Sequence, residues 1–600
     1  MREICEQLKN VIKRLYDIDV EPDITPAPDN IDADYSSNIA LKLAKDLHRA
    51  PMEIANEIKT FISNKGAFRS AAARELAPSA HGDGPDGRGP VLDINVSAPG
   101  FINFSLSDDF LQNQINNLAT DFDSQITSDE FAGKTVICEF SDPNPFKVLH
   151  VGHLYTSIVG DSISKLFEYA GAKVIRANFG GDVGLHVAKT MYILQQKDTA
   201  DLNIEDIAKC YIEGTAAYED DEKAHAEITK LNKEIYRINS EDIHDTDLAK
   251  LYWRGRELSY DYFKDFYAKI GIKFDKFYPE STVAGLGLEK VKEELGKGVY
   301  ELSDGAVIFD GEKFGLHTRV FINREGVPTY ETKDVGLIFT KWQDYHFDKS
   351  VVITGSEQLE YMKVVLKSVE QYAPELVEKT SHLTHGLVKL PGNVKMSSRK
   401  GNFLKAVDVL DMINDELKSA YDSSDEKVSL AATKYAFLKY KMGGNIVFDP
   451  KESVKMTGNS GPYLLYSAVR AKKILQKVGF AQDKGSETVS REPYEASEES
   501  ETRDGGLERT GSKNLYPSEK ALMKKLLEYK SILVESVREM APHKVASYLY
   551  ELAQEFSRFY EHCPVVGSDE EAARAQLTKV YLATMSHGLN ILGINIPEEM

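Results

Sequence analysis

Between Ser141 and Leu154 the chain reads Ser-Asp-Pro-Asn-Pro-Phe-Lys-Val-Leu-His-Val-Gly-His-Leu, and its His-x-Gly-His stands where an apolar strand hands over to a helix. The strand is the run Thr135 to Phe140; the helix is expected to begin near Val151 and to continue through Leu154, Ile158, Val159 and Ile163. A helix N-terminus carries unpaired N–H groups and a partial positive charge, so it attracts phosphate. Gly152 permits close approach of a flat ring, and His150 and His153 can donate to phosphate oxygens from the same end. The chemistry suggested is the holding of a nucleoside triphosphate. The bland reading of the same four residues is a local cap or a half-buried histidine pair.

A second element lies far downstream. Lys395-Met-Ser-Ser-Arg-Lys-Gly401 is a short basic loop bracketed by Pro391-Gly392 and Gly401-Asn402, after the strand-like Leu387–Leu390. Alone it reads as a solvated basic turn. A strand-to-helix His-x-Gly-His followed by a Lys-Met-Ser loop resembles the paired signatures of class I aminoacyl-tRNA synthetases, in which both elements hold the ATP phosphates.

The elements that must position these loops are spread over 600 residues, too many for one core. With 42% hydrophobic and 28% charged residues the composition is that of an ordinary globular protein. No window approaches a membrane span, and the first helix-patterned segment (Ile4, Leu8, Val11, Ile12, Leu15) lacks the apolar core of a signal peptide. The 4 cysteines are isolated from one another, which disfavours a disulfide framework or a Cys-x-x-Cys zinc site and fits a reducing cytoplasm. The net charge of −21 does not exclude RNA, because binding needs only a local basic face, and the acidic segment Ala481 to Ser512 reads as a disordered insertion.

Three domains are expected. Residues 1–125 form a small α/β domain with a low-complexity loop at about 68–90, helical runs at Ile39–Leu47 and Ile54–Ile62, and strands at Val91–Val96 and Phe101–Ser105. Residues 126–415 alternate strands and helices, with strands at Val136–Phe140, Lys173–Ala177, Val351–Thr354 and Leu387–Leu390, which predicts a Rossmann-like parallel sheet carrying a helix-rich insertion at about 195–300. Ligands of such sheets lie beyond the carboxyl ends of the strands, where both loops would open. Residues 416–600, with the insertion at about 481–512, read as an all-α bundle.

Within class I the resemblance is to the arginyl-tRNA synthetases, and it covers most of the chain outside the two low-complexity segments. Asn144 and Glu139 stand at the family's spacing before His150, and Ser141 lies between them. Tyr330-Glu-Thr-Lys-Asp334 matches the family's Tyr-x-Thr-Arg/Lys-Asp run, and Gln358 its Gln after the next strand. The resemblance implies that Glu139, Ser141, Asn144, Tyr330, Asp334 and Gln358 bind L-arginine. A guanidinium is planar with five donors, so carboxylate and amide oxygens can take directed bonds that an ammonium could not reproduce. Gly181-Asp182-Val-Gly184 resembles the family's Gly-Asp-x-Gly loop near the nucleotide; His186 stands where the family usually has Gln.

The resemblance further implies arginyl-adenylate formation from ATP and Mg²⁺, then transfer to the terminal 2′-hydroxyl of tRNA(Arg). Gly152, His150, His153, Gly181, Asp182, Gly184, Lys395, Met396 and Ser397 are the expected ATP contacts, with no protein-held metal. Ser398 departs from the common Lys-Met-Ser-Lys-Ser form, in which a lysine stands at that position; Lys147 is expected to replace its charge, with Arg399 or Lys400. Phe101 and Asn103 match the positions that meet the tRNA elbow, and Tyr463, Tyr466, Arg470 and the terminal Met600 those that meet the anticodon. The family implies a monomer. A small-molecule adenylyltransferase would need neither the bundle nor the elbow domain, and a catalytically dead relative is favoured only by Ser398.

Overall fold

The computed structural model describes residues 2–28, 30–31, 33–65, 91–197, 199–391, 404–422, 425–479 and 515–600. They divide into two compact units. The first comprises Met1–Gln125, Ile474–Glu528 and Glu555–Tyr581; the second Ile126–Lys473, Tyr529–Gln554 and Leu582–Met600.

In the first unit, Ile4, Leu8, Val11 and Ile12 line the buried side of helix Arg2–Tyr16, as their spacing predicts. A four-stranded antiparallel sheet follows, in the order Ile24–Pro26, Tyr35–Ser37, Phe101–Leu106, Val91–Ser97. Lys520 pairs with Asp108 at 2.6 Å, Lys524 pairs with Asp34, and the buried Arg574 and Glu519 meet at 3.0 Å.

The second unit is built on a five-stranded parallel sheet in the order Thr380–His385, Lys349–Gly355, Thr135–Glu139, Lys173–Gly180, Lys276–Pro279. Its centre is the strand that leads into the His-x-Gly-His. Apolar side chains such as Ile137, Ala177 and Val352 form one core with Val283 and Val335 of the helices Glu280–Leu295 and Tyr330–Tyr345. Those two helices cross backbone to backbone: a Cβ on Gly287 would fall 2.0 Å from the Thr332 carbonyl oxygen, and one on Gly336 2.1 Å from that of Val283. This contact brings Glu280 beside Lys333. No described helix is long and apolar enough to cross a membrane.

The fold class is the expected one: a parallel-sheet α/β region, a small α/β region at the N-terminus and a helical C-terminal part, with helices Gly461–Lys477, Pro517–Glu539, Pro542–His562 and Glu571–Ile591. Two strand readings are corrected. Of Leu387–Leu390 only Val388–Lys389 is a strand, and it pairs with Ile446–Val447 in a separate small sheet. The sheet's outer strand is instead Thr380–His385, five of whose six residues are only half-buried, so it shows no apolar run. The strand Lys276–Pro279 lies inside the segment read as helix-rich.

Candidate active site

Helix Val151–Tyr169 starts where expected, with His150 as its N-cap. His150 Nδ1 accepts from the Gly152 N–H at 3.1 Å, and His153 Nδ1 accepts from the His150 N–H at 3.1 Å. The rings stack with centroids 3.8 Å apart. Burial, then the nearby Lys147, lowers His150 to about 4; burial and then His150 itself hold His153 well below the ordinary histidine value. Both are therefore neutral at pH 7. With each Nδ1 accepting, each proton sits on Nε2, so the helix start carries two Nε2–H donors of settled tautomer. A Cβ on Gly152 would come within 2.8 Å of the His150 ring, so the glycine makes room first for that imidazole.

The loop between strand and helix takes an unusual path. Ser141, Asp142 and Phe146 all have positive φ (75°, 49° and 67°), a region that non-glycine residues seldom occupy. Helix Asp247–Lys269 props it: Ser259 Oγ accepts from the Phe146 N–H at 2.9 Å, Tyr262 Oη from the Leu149 N–H at 3.3 Å, and Tyr267 Oη lies 2.8 Å from Ser141 Oγ. Ser141 is thus hydrogen-bonded within the loop's own support.

Beyond this strand lies a set of carboxylates. Glu139 is buried and bonded to the buried Lys341 at 2.6 Å, and Lys341 also donates to Ser350 Oγ at 3.1 Å. Asp142 accepts from the Phe179 N–H at 2.7 Å; burial and then the Glu139 charge push it well above the usual carboxylate range. Asp334 accepts from the Tyr361 hydroxyl. Burial pushes Asp334 up to about 8, the Tyr361 bond opposes this, and the charges of Glu139, Glu280 and Glu331 add to it. Glu280 is raised by burial, against its ion pair with Lys333. Asp334, Asp142 and Glu139 are therefore neighbours, and with no ligand bound the raised carboxyls of Asp142 and Asp334 favour their protonated forms. A planar cation would favour their ionised forms. Tyr330, on the first turn of the same helix as Asp334, is 51% exposed at the rim, with the Lys333 ammonium 4.9 Å from its ring centre. Gln358 ends the turn after strand Lys349–Gly355, is exposed, and takes no part in the hydrogen bonds of the cluster.

The Asn144 Oδ1 accepts from the Gly181 N–H at 2.8 Å, which settles the orientation of the amide and leaves its NH₂ donors at the other end. A Cβ on Gly181 would lie 2.6 Å from this oxygen, which is why the position holds glycine. Asp182, expected as an ATP contact, is held by the protein's own donors. Its carboxylate is 0% exposed and fully engaged by Arg256 Nε at 2.9 Å and by the Ser281 N–H and hydroxyl at 2.9 and 2.7 Å. Gly184 caps the next helix at φ 119°, and His186 is buried with Nε2 2.7 Å from the Gly181 oxygen.

Lys395, Met396, Ser397, Arg399 and Lys400 lie outside the described residues. The chain just after them is pinned to the histidines: the Val151 N–H donates to the Leu404 oxygen and the Ala406 N–H to the Leu149 oxygen, both at 2.9 Å, and His150 bridges to Lys405. Lys147 lies over the Tyr211 ring at 4.4 Å. Tyr463, Tyr466 and Arg470 share one side of helix Gly461–Lys477, opposite the buried Leu464, Leu465 and Ala468; Tyr466 is 46% exposed and Met600 36%. Phe101 is half-buried, but Asn103 is 2% exposed and donates to Ser97 Oγ at 3.0 Å. Sequence reasoning missed Asp142, Glu280, Lys333, Lys341 and Tyr361. Only Asp142 carried a signal, its place between Ser141 and Asn144.

A parallel sheet whose central strand opens into a histidine-capped helix beside a carboxylate pocket defines a class I aminoacyl-tRNA synthetase core. Residues 115–443 match the family model of the tRNA synthetases class I (R) catalytic domain, residues 464–600 that of the DALR anticodon binding domain, and residues 2–78 that of the arginyl tRNA synthetase N terminal domain. The chain belongs to the class I arginyl-tRNA synthetases, and as such it is an enzyme, an arginine–tRNA ligase. The arginine–tRNA ligase of Treponema denticola is 28% identical over 540 residues, 86% of each chain; that of Treponema pallidum is 26% identical over the whole of both. The arginyl-tRNA synthetase of Thermus thermophilus has the same fold, with a TM-score of 0.73 at 22% identity over the full length of both chains.

Proposed function

We propose that this chain activates L-arginine with ATP as arginyl-adenylate and then transfers the arginyl group to the 2′-hydroxyl of the terminal ribose of tRNA(Arg), acting as a cytoplasmic monomer. The observation that carries the reading is the carboxyl cluster Glu139, Asp142 and Asp334, at the end of the strand that leads into His150 and His153. The guanidinium sits against Asp334, with Tyr330 and Gln358 at the rim and Glu139 contributing charge behind its Lys341 bond. The NH₂ of Asn144, with Ser141, faces the α-carboxylate end. An oxygen of that carboxylate attacks the α-phosphorus, the new C–O–P link forms, and pyrophosphate leaves. Charge grows on phosphate oxygens, so donors set in advance do most of the work. His150 and His153 supply Nε2–H donors, Gly152, Gly181 and Gly184 line the nucleotide, and Lys395, Met396, Ser397, Arg399 and Lys400 close over the phosphates of MgATP. In the second step the ribose oxygen attacks the arginyl carbonyl carbon and AMP departs.

The domains divide the labour. Residues 1–125 hold the tRNA elbow through Phe101, residues 126–415 perform the chemistry, and residues 416–600 hold the anticodon through Tyr463, Tyr466, Arg470 and Met600. Arginine-dependent ATP–pyrophosphate exchange, run with and without tRNA(Arg), tests the reading; no exchange under either condition would defeat it. In the same assay Lys147→Ala should lower the exchange rate by about 10²-fold with an unchanged melting temperature. An unchanged rate in K147A beside a dead R399A would move the missing lysine's role to Arg399.

A further inference from the structure

The loop that follows strand Lys173–Gly180 contains a relay the activity does not by itself require. Gly181 is held from both sides: its N–H donates to Asn144 Oδ1 at 2.8 Å, and its carbonyl lies 2.7 Å from His186 Nε2. A carbonyl can only accept, so Nε2 carries the proton. His186 is buried at 7% exposure and held well below the ordinary histidine value, first by burial and then by Lys147, so it is neutral and its other nitrogen has no proton. That nitrogen, Nδ1, is buried and has no hydrogen-bond partner among the described residues. All of the useful bonding of this side chain therefore passes through one atom. The Asn144 amide, with its oxygen taken by Gly181, has a settled orientation in which the NH₂ group is the end left for a substrate.

We propose that His186 is a positioning residue for the arginylation reaction: by fixing the Gly181 carbonyl it sets the Gly181 N–H that orients the Asn144 amide toward the arginine carboxylate and the α-phosphate. This rests on the function proposed above. The imidazole acts as a rigid neutral donor and neither titrates nor touches substrate. A glutamine can place its amide nitrogen where Nε2 lies. An asparagine reaches only as far as Nδ1, where nothing is bound. The site therefore accepts the longer amide and rejects the shorter one.

The test is a set of variants in arginine-dependent ATP–pyrophosphate exchange with tRNA(Arg) present. His186→Leu and His186→Asn should each lower kcat/KM for arginine by about 10- to 100-fold, while His186→Gln restores it to within about threefold of the parent. The KM for ATP should move less than threefold throughout. Because the effect passes through Asn144, H186N combined with N144A should be no slower than N144A alone. Equal losses in H186Q and H186N, or losses in the double variant that multiply, would overturn the proposal. If H186L does not fold, the pair H186Q and H186N decides the question. Should the parent itself show no exchange, the function proposed above fails, whereas an active parent with an unaffected H186N removes only the relay.

Discussion

Two aspartates of the parallel-sheet unit are held in opposite ways. Asp182 has no exposed surface and is met by a guanidinium nitrogen, a backbone N–H and a hydroxyl, all within 2.9 Å. Asp334 accepts from a single tyrosine hydroxyl and has Glu139, Glu280 and Glu331 as electrostatic neighbours, so its carboxyl is pushed up to about 8. One carboxylate is satisfied by the fold; the other keeps its proton below about pH 8 unless a cation joins it. On the function proposed above, the difference separates a residue that holds a loop together from one that receives a ligand, although both belong to motifs the family shares.

The sharpest way to break this contrast is to neutralise each aspartate. Asp334→Asn should lower kcat/KM for arginine in the exchange assay by about 10³-fold, because the donors of a guanidinium would lose their charged acceptor, and it should leave stability equal or higher. If D334N instead unfolds while the remaining activity is normal, Asp334 is structural. Asp182→Ala should do the reverse. It leaves Arg256 and Ser281 without their acceptor, and urea unfolding should show a loss of about 3–5 kcal/mol. Exchange by the folded fraction should stay within about tenfold of the parent. A D182A protein of parental stability but no activity would return Asp182 to the nucleotide.

Protons sharpen the comparison next. For Asp334 the folded state binds a proton up to about pH 8, whereas a free aspartate with the ordinary value of 3.8 loses it earlier. The folded form thus holds more protons between these values, so this group makes stability fall as pH rises through that window. Replacing it with asparagine should remove that slope, and the stability advantage of D334N over the parent should widen toward pH 8. Binding of a guanidinium lowers the carboxyl, so arginine should release up to about one proton at pH 7 and bind up to about tenfold more weakly for each pH unit below 8. Calorimetry in two buffers of different ionisation enthalpy would measure this. No buffer dependence would mean that Asp334 is already ionised or does not meet the ligand. His150 and His153 should add no acid limb between pH 5 and 7, since both are neutral there.

What could be read from the sequence followed local pattern. The helix start at Val151 and the strands at Thr135, Lys173 and Lys349 announce themselves by apolar runs and by the switch to helical spacing. The outer strand Thr380–His385 did not, because a half-exposed edge needs no apolar run, and Lys276–Pro279 is only 4 residues long. In the site, Glu139, Asn144, Tyr330 and Asp334 were legible through family spacing. Their bonding was not: Glu139 meets Lys341 across 202 residues, and Tyr361 meets Asp334 across 27. A partner supplied by tertiary packing leaves no periodic mark. For that reason the bond from the Gly181 N–H to the Asn144 oxygen, across 37 residues, has no signature in the sequence.

The smallest expected effect tests what keeps Asp334 usable at all. Among the largest influences on Asp334 from the described residues, the Tyr361 hydroxyl is the one that lowers it, against burial and three acidic neighbours. Tyr361 itself is raised well above the ordinary tyrosine value, by burial and then by Asp334, so it stays protonated and remains a donor. Tyr361→Phe deletes one hydrogen bond to a carboxylate, a difference of about 1 kcal/mol, while keeping the ring that the Arg319 guanidinium faces at 5.2 Å. The arginine KM should rise about three- to tenfold at pH 7 with kcat unchanged, and the deficit should shrink as pH is raised and Asp334 ionises without help. A deficit that stays constant from pH 6.5 to 9 would show that Tyr361 positions the arginine or its pocket and does not govern the charge of Asp334.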